Sequence, residues 1–176
     1  GLTVGAVAMV LQIFAGDMHG LNTLKYQPAK IAAVEGVWHT ESPVPLTLIG
    51  WPNEQTQTTD YAVKVPYLGS LILTHSMDGE IKGWSEFDDR PPVAPLFFGF
   101  RIMVGVGMLM LLVSSYGWYR LRKARWQPQQ LPQWLLYTFA GMTFSGWVAT
   151  LAGWYVTEIG RQPFLVQGVL RIEDAV

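Results

Sequence analysis

No cysteine occurs in these 176 residues. That excludes a disulfide framework, thiolate metal sites and iron–sulfur clusters, and it leaves the redox compartment open. Charge is scarce too: only 14% of residues are Asp, Glu, Lys or Arg, against about a quarter in soluble domains. The net charge of −1 gives no reason to expect nucleic acid. His19, His39 and His75 lack metal-ligand spacing and read as surface histidines. No Gly-rich phosphate loop and no nucleophile triad is present. What fills the chain instead is apolar: half of it is hydrophobic and 13% aromatic. This is the composition of membrane helices with aromatic residues at the interfaces.

Residues 1–16 read as the end of a transmembrane helix, stopped at Gly16-Asp17 because Gly just past a helix is the commonest stop signal. The opening lacks the basic start of a signal peptide and is short for a span. Together with the featureless end at Glu173-Asp174-Ala175-Val176, this gives the expectation of an internal piece of a larger membrane protein. Residues 17–92 form a polar extramembrane loop. Within it Pro28 to Trp38 reads as a short helix, with Pro28 suited to the first turn and an Ala-rich body. Val44 to Ile49 and Tyr67 to Leu73 are too short to span and read as interfacial or packed segments. A second span follows over 93–119, then a basic loop over 120–133, a third span over 134–158 and an outer segment over 159–176. Arg120-Leu121-Arg122-Lys123-Ala124-Arg125 is the densest basic cluster, so the positive-inside bias places 120–133 in the cytoplasm. The polar loop and the end of the third span then share the opposite side. The expected fold is an all-α, partial integral membrane helical bundle with a polar extramembrane loop.

Ionisable residues at a bilayer rim are functional candidates by default. Arg101 lies about 12 Å into the second span. It either snorkels back to the interface or meets a carboxylate or propionate inside the bundle. Met103 reads first as packing, although methionine is also an axial haem ligand. Trp154 and Glu158 share a helix face at i and i+4, and Arg161 follows just beyond the helix end. They form either an interfacial anchor with a salt bridge, or a partly desolvated carboxylate able to hold a metal or take a proton. Lys30 and Glu35, five residues apart on the short helix, are too far round it for an ordinary i, i+4 pair. They are placed to flank a polar ligand that approaches from the membrane surface.

Four blocks in this order resemble subunit I of the cytochrome bd-type quinol oxidases, closest to the cyanide-insensitive branch. They are Gly16-Asp17-Met18-His19-Gly20, the run from Gln27 to Glu35, Phe100-Arg101-Ile102-Met103, and Glu158-Ile159-Gly160-Arg161-Gln162-Pro163 continued by Val169-Leu170-Arg171. Phe164 departs from the Trp that many members carry after the Pro. The resemblance implies that Met103 ligates the low-spin haem b and that Arg101 sits beside that haem. It implies that Glu158 ligates the high-spin haem b of a di-haem oxygen site, with Trp154 among the haems and Arg161 after the ligand. The second haem of that site would be haem d or a further haem b. Lys30 and Glu35 match residues of the quinol-binding loop, for which 17–92 would be a shorter form.

The resemblance further implies a bacterial cytoplasmic-membrane protein with this loop on the periplasmic side. It would oxidise quinol there and pass electrons through the haems to reduce oxygen to water. Its implied partners are subunit II, small accessory subunits and membrane lipid. The family's histidine haem ligands and acidic proton path lie in an N-terminal half that none of these histidines matches, so this piece alone is expected to be inactive. The rival expectation is a non-catalytic membrane scaffold, in which Met103 packs and Glu158–Arg161 is a structural salt bridge.

Overall fold

Long uncharged runs become long helices because a chain in hydrocarbon must satisfy its own backbone polar groups. The computed structural model describes residues 1–76 and 79–175. Its helices are α1 (Leu2–Tyr26), α2 (Pro28–Glu35), α3 (Leu68–Thr74), α4 (Val93–Lys123), α5 (Gln133–Gly141) and α6 (Ser145–Ile159). A 3-10 turn, Met142–Phe144, joins α5 to α6. Three stretches are long and apolar enough to cross a membrane: Leu2–Tyr26, Val93–Lys123 and Gln133–Ile159. The expected second and third spans lie inside the last two.

Two expectations need correction. The helical stop at Gly16-Asp17 does not occur, since α1 runs on to Tyr26. A mid-helix Gly costs only about 1 kcal/mol relative to Ala, and Asp17 finds a partner in His75 at 3.1 Å. The break comes instead before Pro28, which disfavours helical geometry at Gln27. The fold is also not all-α. Strands β1 (Leu46–Asn53) and β2 (Thr58–Val65) pair antiparallel, and β3 (Phe164–Val166) pairs with β4 (Leu170–Arg171). Asn53 closes the first hairpin: its Oδ1 accepts from the Gln55 and Thr56 amides at 3.0 and 3.3 Å. Asn is a turn former for this reason, and the Thr- and Val-rich run after it suits a strand. Val44 to Ile49, read as a packed segment, leads into β1.

The chain divides into two compact units. One comprises Gly1–Gly16 and Ile102–Ala152, the bodies of the long helices. Its exterior is apolar, with Val4, Phe14, Leu112, Phe144 and Trp147 all exposed, as a lipid-facing surface requires. Helices α4 and α5 come close where Gly117 faces Phe139, leaving no room for a Cβ; small residues permit such approach between membrane helices.

The other unit comprises Asp17–Arg101 and Gly153–Val176. It is built around α2, of whose residues Ala29 to Glu35 are all buried. Ala32, Ala33 and Val34 pack with Trp38, Trp84, Val93, Leu96, Phe97 and Val156 in one core. Each large apolar side chain so buried contributes about 1.5–3 kcal/mol. Ile31, Val37, Val44, Leu73 and Ile81 form a second cluster. At the end of α2, Gly36 adopts φ +65°. The Val37 amide donates back to Ala32 O at 2.9 Å, which closes the helix in a left-handed cap. Glu54, from the β1–β2 turn, accepts the Val93 amide at 2.6 Å and so caps α4.

Candidate functional site

Helix α2 carries its charges the wrong way round for its own dipole. Lys30 sits in the first turn and Glu35 at the last position, whereas helices favour anions at the start and cations at the end. Both residues are only 7% exposed. Helix stability therefore does not explain them, and each is answered by a different charged neighbour.

At the C-terminal end of α2 the neighbour is Arg101. Its Nη1 donates to Val34 O at 2.7 Å and to Phe97 O at 3.3 Å, while Nη2 donates to Thr47 O at 2.6 Å. The same guanidinium lies 3.7 Å from the Glu35 carboxylate and 3.5 Å from the centre of the Phe97 ring. Arg101 thus supplies the cation that the end of α2 lacks, and it ties α2, β1 and α4 together. Its Nε is buried without a hydrogen-bond partner among the described residues. Burial pushes the Glu35 carboxyl above its ordinary range, with Arg101 pulling the other way.

At the N-terminal end the neighbours are Glu158, in the last turn of α6, and Arg161, just past its end. These two form an ion pair. The Lys30 stem lies across Gly160, where a Cβ would come within 2.7 Å of Lys30 Cε. Burial, and then the Arg161 guanidinium, lowers the affinity of Lys30 for its proton, while Glu158 opposes this. Trp154, one turn before Glu158, is 57% exposed with its ring 5.5 Å from Tyr155.

The unit therefore contains six of the seven sequence-predicted site residues. Glu35 lies against Arg101, and Lys30 has its stem at Gly160, within electrostatic reach of the Glu158–Arg161 pair, with Trp154 one turn earlier on α6. Met103 belongs to the helical unit. It is half-buried on α4, and Gly107, one turn on and on the same face, has open space where a Cβ would project. Among the described residues no three His, Cys, Asp or Glu side chains converge on a metal position. A single thioether or carboxylate suffices as an axial ligand where a porphyrin supplies the rest. The open face beside Met103 and the half-exposed Glu158 carboxylate fit that role.

Sequence reasoning missed Asp89. It receives Arg171 through both oxygens, at 2.6 and 2.7 Å, and fastens the segment after α6 to the polar segment. A separation of 82 positions leaves no local signal for such a pair. Thr47 was missed as well, because its backbone carbonyl, not its side chain, receives Arg101.

A family profile described as cytochrome bd terminal oxidase subunit I matches residues 1–176. The chain is similar to the cytochrome bd ubiquinol oxidase subunit 1 of Bacillus subtilis, at 29% identity over 99% of this chain and 39% of that one. It is also similar to the cytochrome bd-II ubiquinol oxidase subunit 1 of Escherichia coli, at 25% identity over 97% of this chain and 46% of that one. The solved structure of bd oxidase from Geobacillus thermodenitrificans superposes with a TM-score of 0.80 at 28% identity, covering 94% of this chain and 38% of that one. The chain thus spans less than half the length of these relatives. With its whole length matched, it belongs to the cytochrome bd terminal oxidase subunit I family.

Proposed function

We propose that this chain is the quinol-oxidising part of subunit I of a membrane quinol:oxygen oxidoreductase, with residues 17–92 as its quinol-binding loop. The observation that carries this is the pair Lys30 and Glu35. Both are ionisable, nearly covered, set against the dipole of their own helix, and held in surroundings that favour their neutral forms. Groups perturbed by burial and a specific charged partner concentrate at functional sites.

Quinol loses electrons and protons together, so its site needs a proton acceptor that works near neutral pH. Glu35 supplies a carboxyl whose affinity for a proton is raised by burial above the ordinary value, so its ionised form takes a proton more readily than an exposed carboxylate does. Lys30 donates a hydrogen bond to a quinol oxygen and holds the ring in place. Arg101 keeps Glu35 oriented, and Arg161 holds the Glu158 carboxylate. Haem, when bound, supplies one-electron transfer and the reduction of oxygen. Met103 would hold the low-spin haem b with Arg101 beside it. Glu158 would hold the high-spin haem b of a site completed by haem d or another haem b, with Trp154 adjacent.

In this reading the loop faces the periplasm of a bacterial cytoplasmic membrane, and subunit II, with small accessory subunits, completes the enzyme. The test uses the full-length oxidase. Lys30→Ala and Glu35→Ala should each lower quinol turnover at least tenfold while the reduced-minus-oxidised haem spectrum stays intact. Unchanged quinol kinetics in both variants would remove α2 from the site.

A further inference from the structure

The helical unit has an unbalanced end. Residues 1–16 and 102–152 contain no Asp or Glu, yet Arg120, Arg122, Lys123 and Arg125 fall within six positions at the C-terminal end of α4. The dipole of α4 presents about half a negative charge there, which leaves most of this positive charge unanswered inside the unit. No ion pair among the described residues involves any of the four.

Two of the four are built into a recess. Arg120 and Lys123 line it with Ala124 and Gln130, between the end of α4 and the turn Pro128–Gln130, around a cavity of about 260 Å³. Arg120 Nη1 donates to the Tyr116 hydroxyl at 3.0 Å. The Tyr116 ring stacks on Trp134 with centroids 5.9 Å apart and 24° between planes. Tyr and Trp concentrate at the membrane–water boundary, so this pair sets the recess at headgroup depth. Arg122 lies away from it, against Trp118 at 5.5 Å.

Toward the hydrocarbon the recess continues as an apolar stripe. Leu109, Leu112 and Tyr116 precede Arg120 and Lys123 at spacings of three and four, one face of α4, and all three are exposed, Leu112 most at 66%. A polar end with two cations above a strip of open apolar surface matches the two parts of a phospholipid. We propose that the recess binds the phosphate of an anionic phospholipid headgroup, with an acyl chain lying along Leu112 and Leu109. The Arg120 fork suits phosphate oxygens, and Lys123 adds a point charge. Basic recesses beside membrane helices take acidic headgroups in this way.

The test titrates phosphatidylglycerol into the delipidated full-length oxidase complex and counts bound lipid by native mass spectrometry. Wild type should bind it well above phosphatidylcholine. The Arg120→Gln/Lys123→Gln variant should bind it about thirty-fold more weakly. The Arg122→Gln/Arg125→Gln variant, with the same charge lost outside the recess, should change little. An unaltered haem spectrum shows that each variant is folded, and the comparison of the two lipids on wild type needs no variant. Equal losses in both variants would mean diffuse attraction and overturn the site. Inorganic phosphate displacing the lipid at equal concentration would mean a free-anion site instead. No preference for phosphatidylglycerol in wild type would mean that protein, not lipid, covers the recess.

Discussion

The two units of this chain handle charge in opposite ways. In the unit of residues 17–101 and 153–176, cations meet carboxylates in specific pairs: Glu35 with Arg101 under cover, and Glu158 with Arg161 and Asp89 with Arg171 partly exposed. In the unit of residues 1–16 and 102–152 there is no carboxylate, and four cations stand together at one end. Covering Glu35 and Arg101 costs stability, since buried ion pairs rarely repay their desolvation in full. The cluster of cations costs little where headgroups and water are the surroundings. Costly charge points to chemistry, and cheap charge points to the membrane.

The sharpest way to break this contrast is Met103, the one site residue placed in the cheap unit. Leu is close in volume to Met, and such a swap in a packed position costs less than about 1.5 kcal/mol. Met103→Leu should therefore leave the fold intact yet abolish the low-spin haem signal of the full-length oxidase. A spectrum that survived unchanged would return Met103 to packing and leave the helical unit without a ligand.

Next in size is Arg101→Ala. It removes the donor to Val34 O and Thr47 O and so leaves two carbonyls without that partner. Leaving a buried acceptor unsatisfied costs about 1–3 kcal/mol. The amides of α2 and β1 should then lose hydrogen-exchange protection, with those of α5 unaffected. Arg101→Lys should fall between, because a compact ammonium cannot span two carbonyls as the planar fork does. Equal protection in all three proteins would mean that the contact is incidental.

How much of this could be read from the chain follows the same division. The long apolar helices that contain 93–119 and 134–158 were legible because hydrocarbon imposes composition directly on sequence. Helix α2 was legible through Pro28 and its alanines. The true end of α1 was not, because Gly16 and Asp17 look like a stop unless His75, far along the chain, is known to meet Asp17. The β1–β2 hairpin was hidden in a polar segment whose alternation is broken by register shifts at Ile49. The charged partners of Lys30 and Glu35 were not legible, because Arg101 meets Glu35 from a distant part of the chain. Lys30 and Glu35 read as flanking one ligand, and the fold gives each a different charged neighbourhood, Arg101 beside Glu35 and the Glu158–Arg161 pair near Lys30.

Gly160 offers a smaller, more local test of the costly unit. An Ala there would set its Cβ 2.7 Å from both Lys30 Cε and Val156 O. The lysine stem can swing aside, but the carbonyl cannot, so overpacking of about 1–3 kcal/mol is expected. Displacing Lys30 should raise the quinol KM of Gly160→Ala more than it lowers the haem content. Parallel losses of both would show that the glycine serves the fold of this corner and not the position of Lys30.

The smallest effect concerns the proton on Glu35. Its folded-state pKa lies above the ordinary carboxylate value, chiefly through burial, so between those two values the folded chain holds more protons than the unfolded one. Stability contributed by this group is then complete below the ordinary value and is lost as pH rises through the folded one. The slope cannot exceed about 1.4 kcal/mol per pH unit, the limit for one proton. Glu35→Gln keeps the shape without the titration. Resistance of the polar segment to proteolysis should therefore fall with rising pH in wild type and stay flatter in Glu35→Gln, the variant being the more resistant at the alkaline end. The reverse order would mean that Arg101 outweighs burial and holds Glu35 ionised, and a carboxylate fixed in that form would be a poor acceptor for a quinol proton.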